Sequence, residues 1–154
     1  MANLLAHSLL ALALHSAIWS VVSLKPLTEY AFLAALVALL PDIDLDREDE
    51  VSPYGHSIGY ALLWSLLSLS ALSFASYLRF VPSSAILPAE LAITLGLGSH
   101  LILDSVLEPG ILGIPRGGRW SRVCLGIRRG QSTKLNLVVS SVATALLLSL
   151  VALR

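Results

Sequence analysis

Long apolar segments follow one another along this chain and leave little sequence for anything else. Charged residues make up only 13% of the 154 residues and hydrophobic residues 56%, which is more apolar surface than a soluble domain of this size can bury. A helix needs about 20 apolar residues to cross a bilayer. Apolar runs occupy residues 3–23, 27–40, 54–81, 84–107 and 134–153. The sequence therefore predicts an all-α, multi-pass bundle of about five transmembrane helices, with residues 1–154 forming a single integral-membrane domain.

Basic residues are distributed unevenly over the loops between these runs. Because every crossing reverses the chain, the N-terminus and the loops after the second and fourth runs fall on one side of the membrane. That side carries most of the basic residues: Arg47, Arg116, Arg119, Arg122, Arg128, Arg129 and Lys134. Basic loops are retained in the cytoplasm, so we expect this side to be the cytoplasmic face of the cell (inner) membrane. The formal net charge is zero, which argues against nucleic acid as a partner and leaves the lipid bilayer.

The second run is short and leads into an acidic loop. Its helix would reach about 21 Å, less than the thickness of the hydrocarbon, so Asp42 and Asp44 should lie below the membrane surface. Six acidic residues lie in the segment 41–57. Non-helical backbone at that depth is tolerated only where it is buried in protein or lines a wet cavity. The sequence thus predicts a polar pocket at this end of the bundle.

Histidines occur at a matching depth on the same side. His100 and Asp104 are four residues apart in the fourth run and share one helix face, and His7 lies about 9 Å along the first run. Ser52-Pro53 has the pattern of a helix N-cap followed by a first-turn proline, so we expect His56 in the first turn of the third helix. Ionisable residues inside a span usually face the bundle interior with a partner.

These side chains together predict a metal site. The candidate ligands are His7, Asp42, Asp44, His56, His100 and Asp104. Imidazole and carboxylate ligands suit Zn, Mn or Fe better than Ca, with Zn the first expectation. They could hold one metal with hydrogen-bonding partners around it, or two metals sharing a carboxylate. The alternative is a buried His–Asp pair that fixes helix packing. His15, about 12 Å beyond His7, is expected to be a packing residue.

Four motifs follow one another along most of the chain: Ala6-His7-Ser8, Leu40-Pro41-Asp42-Ile43-Asp44, Gly55-His56-Ser57, and Gly98-Ser99-His100-Leu101-Ile102-Leu103-Asp104 with Pro109-Gly110. In order and spacing they resemble the YdjM-type family of inner-membrane metal-dependent hydrolases. The resemblance implies a helical membrane protein with a metal site and hydrolase activity, related at a distance to zinc-dependent phospholipases. Leu45 and Val51 stand where the family usually has histidines, which leaves open a one-metal enzyme or a variant without turnover.

The leading hypothesis is a membrane hydrolase with its site on the cytoplasmic side. A bound divalent ion would lower the pKa of a water molecule that attacks the substrate, with Asp44 or Glu108 as general base. A lipid-like phosphoester is the expected substrate, because the pocket opens at head-group level. Its phosphate could be clamped by Arg116, Arg119, Arg128 and Arg129, although these residues could instead serve topology and lipid contact. A divalent-metal transporter or sensor, and a non-catalytic metal-binding protein, are the alternatives.

Overall fold

Five α-helices form most of the structure, a computed structural model that describes residues 4–23, 29–43, 56–106, 111–113, 122–125 and 132–152. They are α1 (Leu4–Ser23), α2 (Glu29–Val37), α3 (Ile58–Tyr77), α4 (Ile86–Val106) and α5 (Ser132–Ala152). Short 3-10 helices, Leu40–Ile43 and Ser83–Ala85, follow α2 and precede α4. The all-α fold is confirmed. One feature that the apolar pattern does not predict is the antiparallel pairing of β1 (Ile111–Leu112) with β2 (Arg122–Val123).

Four of the described helices are long and apolar enough to cross a membrane. These segments are Leu4–Val22, Ile58–Tyr77, Ser83–Val106 and Thr133–Ala152. The second run forms a helix of only nine residues, Glu29–Val37, which extends about 13 Å. It is shorter than the apolar run because Pro41 lies in the following 3-10 helix, where its missing N–H and fixed φ do not support an α-helix. Helix α2 is therefore a short helix within the bundle.

Helix α4 is the central element of the bundle. Half of its span is buried, and it packs against α1, α2 and α3. A cluster of buried hydrophobic residues where α1, α2 and α4 meet consists of four alanines: Ala11, Ala34, Ala38 and Ala92. Small side chains let helix backbones approach closely. Gly96 lies at a close approach of α4 to α2, because a Cβ there would lie 2.7 Å from the Ala34 carbonyl oxygen and 2.9 Å from the Cβ of Val37.

The N-terminal end of α1 lies beside the C-terminal end of α4. Ala6 and Leu103 are buried together, and side chains of α5 near its start, Leu135 and Val139, pack against them. Helix α2 also ends here, because the Ala38 carbonyl oxygen just beyond it contacts His100. One end of the bundle thus gathers the starts of α1 and α5 and the ends of α2 and α4.

The third helix begins later than the sequence pattern indicates. Ser57 has extended backbone angles (φ −126°, ψ 144°), and its hydroxyl accepts a hydrogen bond from the Tyr60 N–H at 3.1 Å, as an N-cap serine does. Helix α3 therefore starts at Ile58, and the prediction that His56 lies in its first turn is wrong, since His56 precedes the cap. The predicted cap at Ser52-Pro53 lies outside the described residues.

Candidate metal centre

Five buried histidine and aspartate side chains meet at this end of the bundle. They are His7 in α1, Asp42 in the 3-10 helix after α2, His56 directly before α3, and His100 and Asp104 in α4. Their exposed fractions range from 0% to 7%. The structure thus brings together five of the six candidate ligands. The sixth, Asp44, lies outside the described residues.

The donor atoms of four of these residues have the spacing of a metal site. One donor atom each from Asp42, His56, His100 and Asp104 can be chosen so that all four lie within 4.8 Å of one another. Asp104 Oδ2 is 3.3 Å from Nε2 of both His56 and His100, and Asp42 Oδ1 is 3.5 Å and 3.8 Å from the same two atoms. Around a tetrahedral cation with bonds of about 2.0 to 2.2 Å, neighbouring donors are about 3.3 to 3.6 Å apart. Three of the four observed distances lie in that range, and the fourth, 3.8 Å between His100 and Asp42, is slightly longer.

The histidine nitrogens in these close pairs lack the geometry of good hydrogen bonds. Among the described residues, the Nε2 atoms of His7, His56 and His100 and the Oδ1 atom of Asp42 are buried without a hydrogen-bond partner. A buried polar atom without a partner costs about 1–3 kcal/mol, and here several such atoms point toward one another. Lone pairs of imidazole and carboxylate groups that converge in this way suit a divalent cation.

One hydrogen bond fixes the orientation and tautomer of His100. Its Nδ1 lies 2.9 Å from the backbone oxygen of Ala38. A carbonyl oxygen can only accept, so Nδ1–H donates and the lone pair of Nε2 faces the cluster. Ala38 follows the last residue of α2, where backbone carbonyls lack helical partners. The sequence did not indicate Ala38, because it acts through its backbone; the only available signal was that an apolar helix ends just before Pro41.

His56 is the member of the cluster that precedes its membrane span. Burial by itself would lower the pKa of His56, but the adjacent carboxylates of Asp104 and Asp42 outweigh that effect and raise the pKa to about 9. An imidazolium at this position offsets one of the two negative charges of these carboxylates. A cation that binds His56 Nε2 must therefore displace a proton.

His7 approaches the cluster from a different side. Its Nε2 lies 3.4 Å from Asp104 Oδ1, whereas the contacts of His56 and His100 are to Asp104 Oδ2. Its ring stacks on that of His100, with ring centres 4.0 Å apart and an angle of 19° between the planes. His15, also fully buried in α1, instead stacks on Trp19 at 6.2 Å. The two histidines of α1 thus have different surroundings.

Several predicted site residues lie outside the described part of the chain. They are the proposed bases Asp44 and Glu108 and the predicted phosphate clamp of Arg116, Arg119, Arg128 and Arg129. Their places relative to the cluster stay predictions.

Comparison with known proteins agrees with the membrane character of the helices. The family model described as YdjM inner membrane protein matches residues 1–153. No curated protein and no solved structure gives a significant match. The matched range contains every helix of the bundle and all five clustered side chains. The chain belongs to the YdjM family of inner membrane proteins.

Proposed function

We propose that this protein is a membrane-embedded hydrolase that depends on a divalent cation. The proposed ligands are His7, Asp42, Asp44, His56, His100 and Asp104. One observation carries the proposal: three buried imidazole Nε2 atoms lie 3.3 to 3.8 Å from oxygens of two carboxylates, and these nitrogens have no hydrogen-bond partner among the described residues. Burying such groups is unfavourable unless a cation or proton binds them.

Hydrolysis of a phosphoester is the proposed reaction. A divalent cation supplies Lewis acidity toward a phosphoryl oxygen and makes water a stronger nucleophile. The general base takes a proton from water as the water oxygen forms a bond to phosphorus. The bond from phosphorus to the leaving oxygen breaks, and the alkoxide takes up a proton and leaves as the alcohol. Asp44 or Glu108 is the proposed general base. Asp44 follows Asp42 by two residues, and Glu108 follows Asp104 by four.

A lipid-like phosphoester is the proposed substrate. The cluster lies at one end of a bundle in which four helices have the length to cross a bilayer, so that end would lie near the lipid head groups. The substrate phosphate is proposed to contact the loop arginines Arg116, Arg119, Arg128 and Arg129, whose guanidinium groups suit phosphate oxygens. The basic loops of this end support a cytoplasmic orientation.

Zinc is the proposed cation. Two imidazoles and two carboxylates at near-tetrahedral spacing form a donor set that zinc accepts. Because these four donors would fill a tetrahedron, water or substrate would bind as a fifth ligand or in place of one of them. Manganese and iron bind the same donors and are the alternatives.

The proposal is tested by metal analysis and turnover of the purified protein. We expect at least one equivalent of transition metal per chain and hydrolysis of a member of a phosphoester and phospholipid panel. Loss of a residue that only hydrogen-bonds to a metal ligand weakens metal binding by about 10- to 100-fold. His100 is itself a proposed ligand, so His100→Ala should weaken metal binding by more than that. His15→Ala is the matched control, because His15 is equally buried but stacks on Trp19.

Two results would overturn the proposal. Equal metal content in the wild type and His100→Ala would disprove the metal site. Tight metal binding without turnover across the panel would show a metal-binding protein that is not a hydrolase. Transport would be the better account if proteoliposomes took up metal in an Asp104-dependent manner. The alanine cluster, which begins one turn beyond His7 at Ala11, argues against transport because it places apolar residues next to the site.

A further inference from the structure

We propose that Asp104 bridges two cations, one held with Asp42, His56 and His100, the other bound by His7 Nε2 and Asp104 Oδ1. The inference rests on the proposed function for its first cation and adds a second binding position. It assigns His7 to a different ion from the other two histidines of the cluster.

The two oxygens of Asp104 face different partners. Oδ2 lies 3.3 Å from Nε2 of both His56 and His100, whereas Oδ1 lies 3.4 Å from His7 Nε2. Each separation is within the range expected for two donors on one small cation, about 3.3 to 3.6 Å. A carboxylate whose two oxygens each lie beside an imidazole nitrogen is arranged to bind one cation through each oxygen.

His7 does not fit on the first cation. Two donors on one ion can be no farther apart than twice the bond length, about 4.4 Å. The donors that all lie within 4.8 Å of one another belong to Asp42, His56, His100 and Asp104, and His7 is not in that group. Its contact is to the other oxygen of Asp104.

The buried ring of His7 lacks hydrogen-bond partners among the described residues. Its side chain is fully buried, and among the described residues neither ring nitrogen has a hydrogen-bond partner. Nε2 nevertheless faces a carboxylate at 3.4 Å. A cation bound to Nε2 would give this nitrogen the partner that it lacks, and Asp104 Oδ1 is close enough to bind the same cation. Water or substrate would complete the coordination, as in metal sites that keep open positions.

A bridged pair of cations favours phosphoesters among hydrolysable substrates. Two divalent ions about 3.5–4 Å apart can contact both the attacking and the leaving oxygen of an in-line displacement at phosphorus. His7 would then determine the rate with phosphate substrates through the second ion, while Asp42, His56 and His100 hold the first.

The test is a count of bound metal that does not depend on activity. Protein stripped of metal in detergent is titrated with Mn²⁺, and bound metal is measured per chain together with the electron paramagnetic resonance spectrum. We expect two equivalents and a magnetically coupled signal in the wild type. His7→Ala and His7→Gln should each retain one equivalent and lose the coupling. The control His15→Ala should keep both, since His15 is a buried histidine of the same helix.

The outcomes separate this inference from the proposed function. The bridged pair is disproved if the wild type binds one equivalent of metal. It is also disproved if the wild type and both His7 variants bind two equivalents without magnetic coupling. His7 is then a hydrogen-bonding partner of Asp104. One equivalent with phosphoester turnover would overturn only the second site. Two coupled equivalents without turnover would support the bridged pair and overturn the hydrolase.

Discussion

At the scale of single residues, the candidate site is defined by which atom of each side chain is already engaged. His100 uses Nδ1 for the Ala38 carbonyl and so presents Nε2, and Asp104 divides its two oxygens between His7 and the pair His56 and His100. Sequence spacing gives the face and depth of such residues. It does not give the atom that each one directs at its neighbour, which depends on side-chain rotamers and on a backbone carbonyl from another helix.

Metal binding should depend on pH through His56. Its pKa of about 9 means that a proton occupies the imidazole at neutral pH when no cation is bound. Binding must release that proton, so we expect affinity to rise by up to about tenfold per pH unit and to level off above about pH 9. Competition titrations with a chelator at several pH values measure this slope.

The matched variant for this experiment is His56→Gln, which removes the titrating group. Its binding should be weaker and its pH slope smaller than that of the wild type. An affinity of the wild type that stays constant between pH 6.5 and 9 would contradict the assignment.

The same raised pKa affects the stability of the cation-free protein. Because the folded-state pKa lies above the ordinary value of 6.5, the contribution of His56 to stability is fully present below about pH 6.5 and is lost as pH rises through about 9. Metal-stripped wild type should therefore unfold at a lower temperature at pH 9.5 than at pH 6.5, with a smaller difference in His56→Gln. Scanning fluorimetry at the two pH values checks this, and a Tm that increases with pH would refute it.

At the scale of helices, the contact between α2 and α4 sets the position of two site components. Helix α2 carries the Ala38 carbonyl just past its end and Asp42 one turn further on, and its distance from α4 is limited by Gly96. The nine-residue length of α2 brings its C-terminal end to the level of His100. Tight packing at Gly96 therefore influences the site from about one turn away.

Gly96→Ala should push α2 away from α4. The added Cβ would meet the Ala34 carbonyl oxygen at 2.7 Å, and overpacking of this kind costs about 1–3 kcal/mol. We expect a lower Tm and weaker metal binding, because the Ala38 carbonyl moves away from His100. Thermal unfolding and metal titration of the variant measure the two effects.

Gly98→Ala is the matched control in the same helix. Apart from the local backbone of α4, no atom of the described residues lies within 4 Å of a Cβ at Gly98, so the substitution should be neutral or slightly stabilising through helix propensity. Equal behaviour of the two alanine variants would contradict the role given to the contact at Gly96.

Helix α3 is held to α4 by a small polar network. Glu90 accepts hydrogen bonds from Ser68 at 2.7 Å and Thr94 at 3.2 Å, and Thr94 also lies 3.3 Å from the Ser65 hydroxyl. Interhelical hydrogen bonds in membranes contribute about 0.6 kcal/mol on average. Ser68→Ala should therefore lower Tm by a few degrees without changing metal affinity. Ser70→Ala, which removes an exposed hydroxyl bonded within its own helix, should leave Tm unchanged, and a larger effect at Ser70 than at Ser68 would count against the network.

At the scale of the whole molecule, the apolar pattern predicted more of the fold than of the site. Five helices and the meeting of His7, Asp42, His56, His100 and Asp104 follow from run lengths and from alternating chain direction. The start of α3 was misplaced because Ser52-Pro53 and Ser57 both have capping character, and the sequence does not show which serine caps the helix. The Gly96 contact and the division of the Asp104 oxygens depend on distances between helices, which no local pattern encodes.

The central claim is that these buried side chains bind a transition metal. Diffraction data collected on both sides of the zinc, manganese and iron absorption edges test it directly, since anomalous scattering locates and identifies a metal. We predict an anomalous peak among Asp42, His56, His100 and Asp104, with bonds of about 2.0 to 2.2 Å. The claim is contradicted if crystals of protein saturated with metal show no anomalous peak between these four residues, or show the metal bound elsewhere.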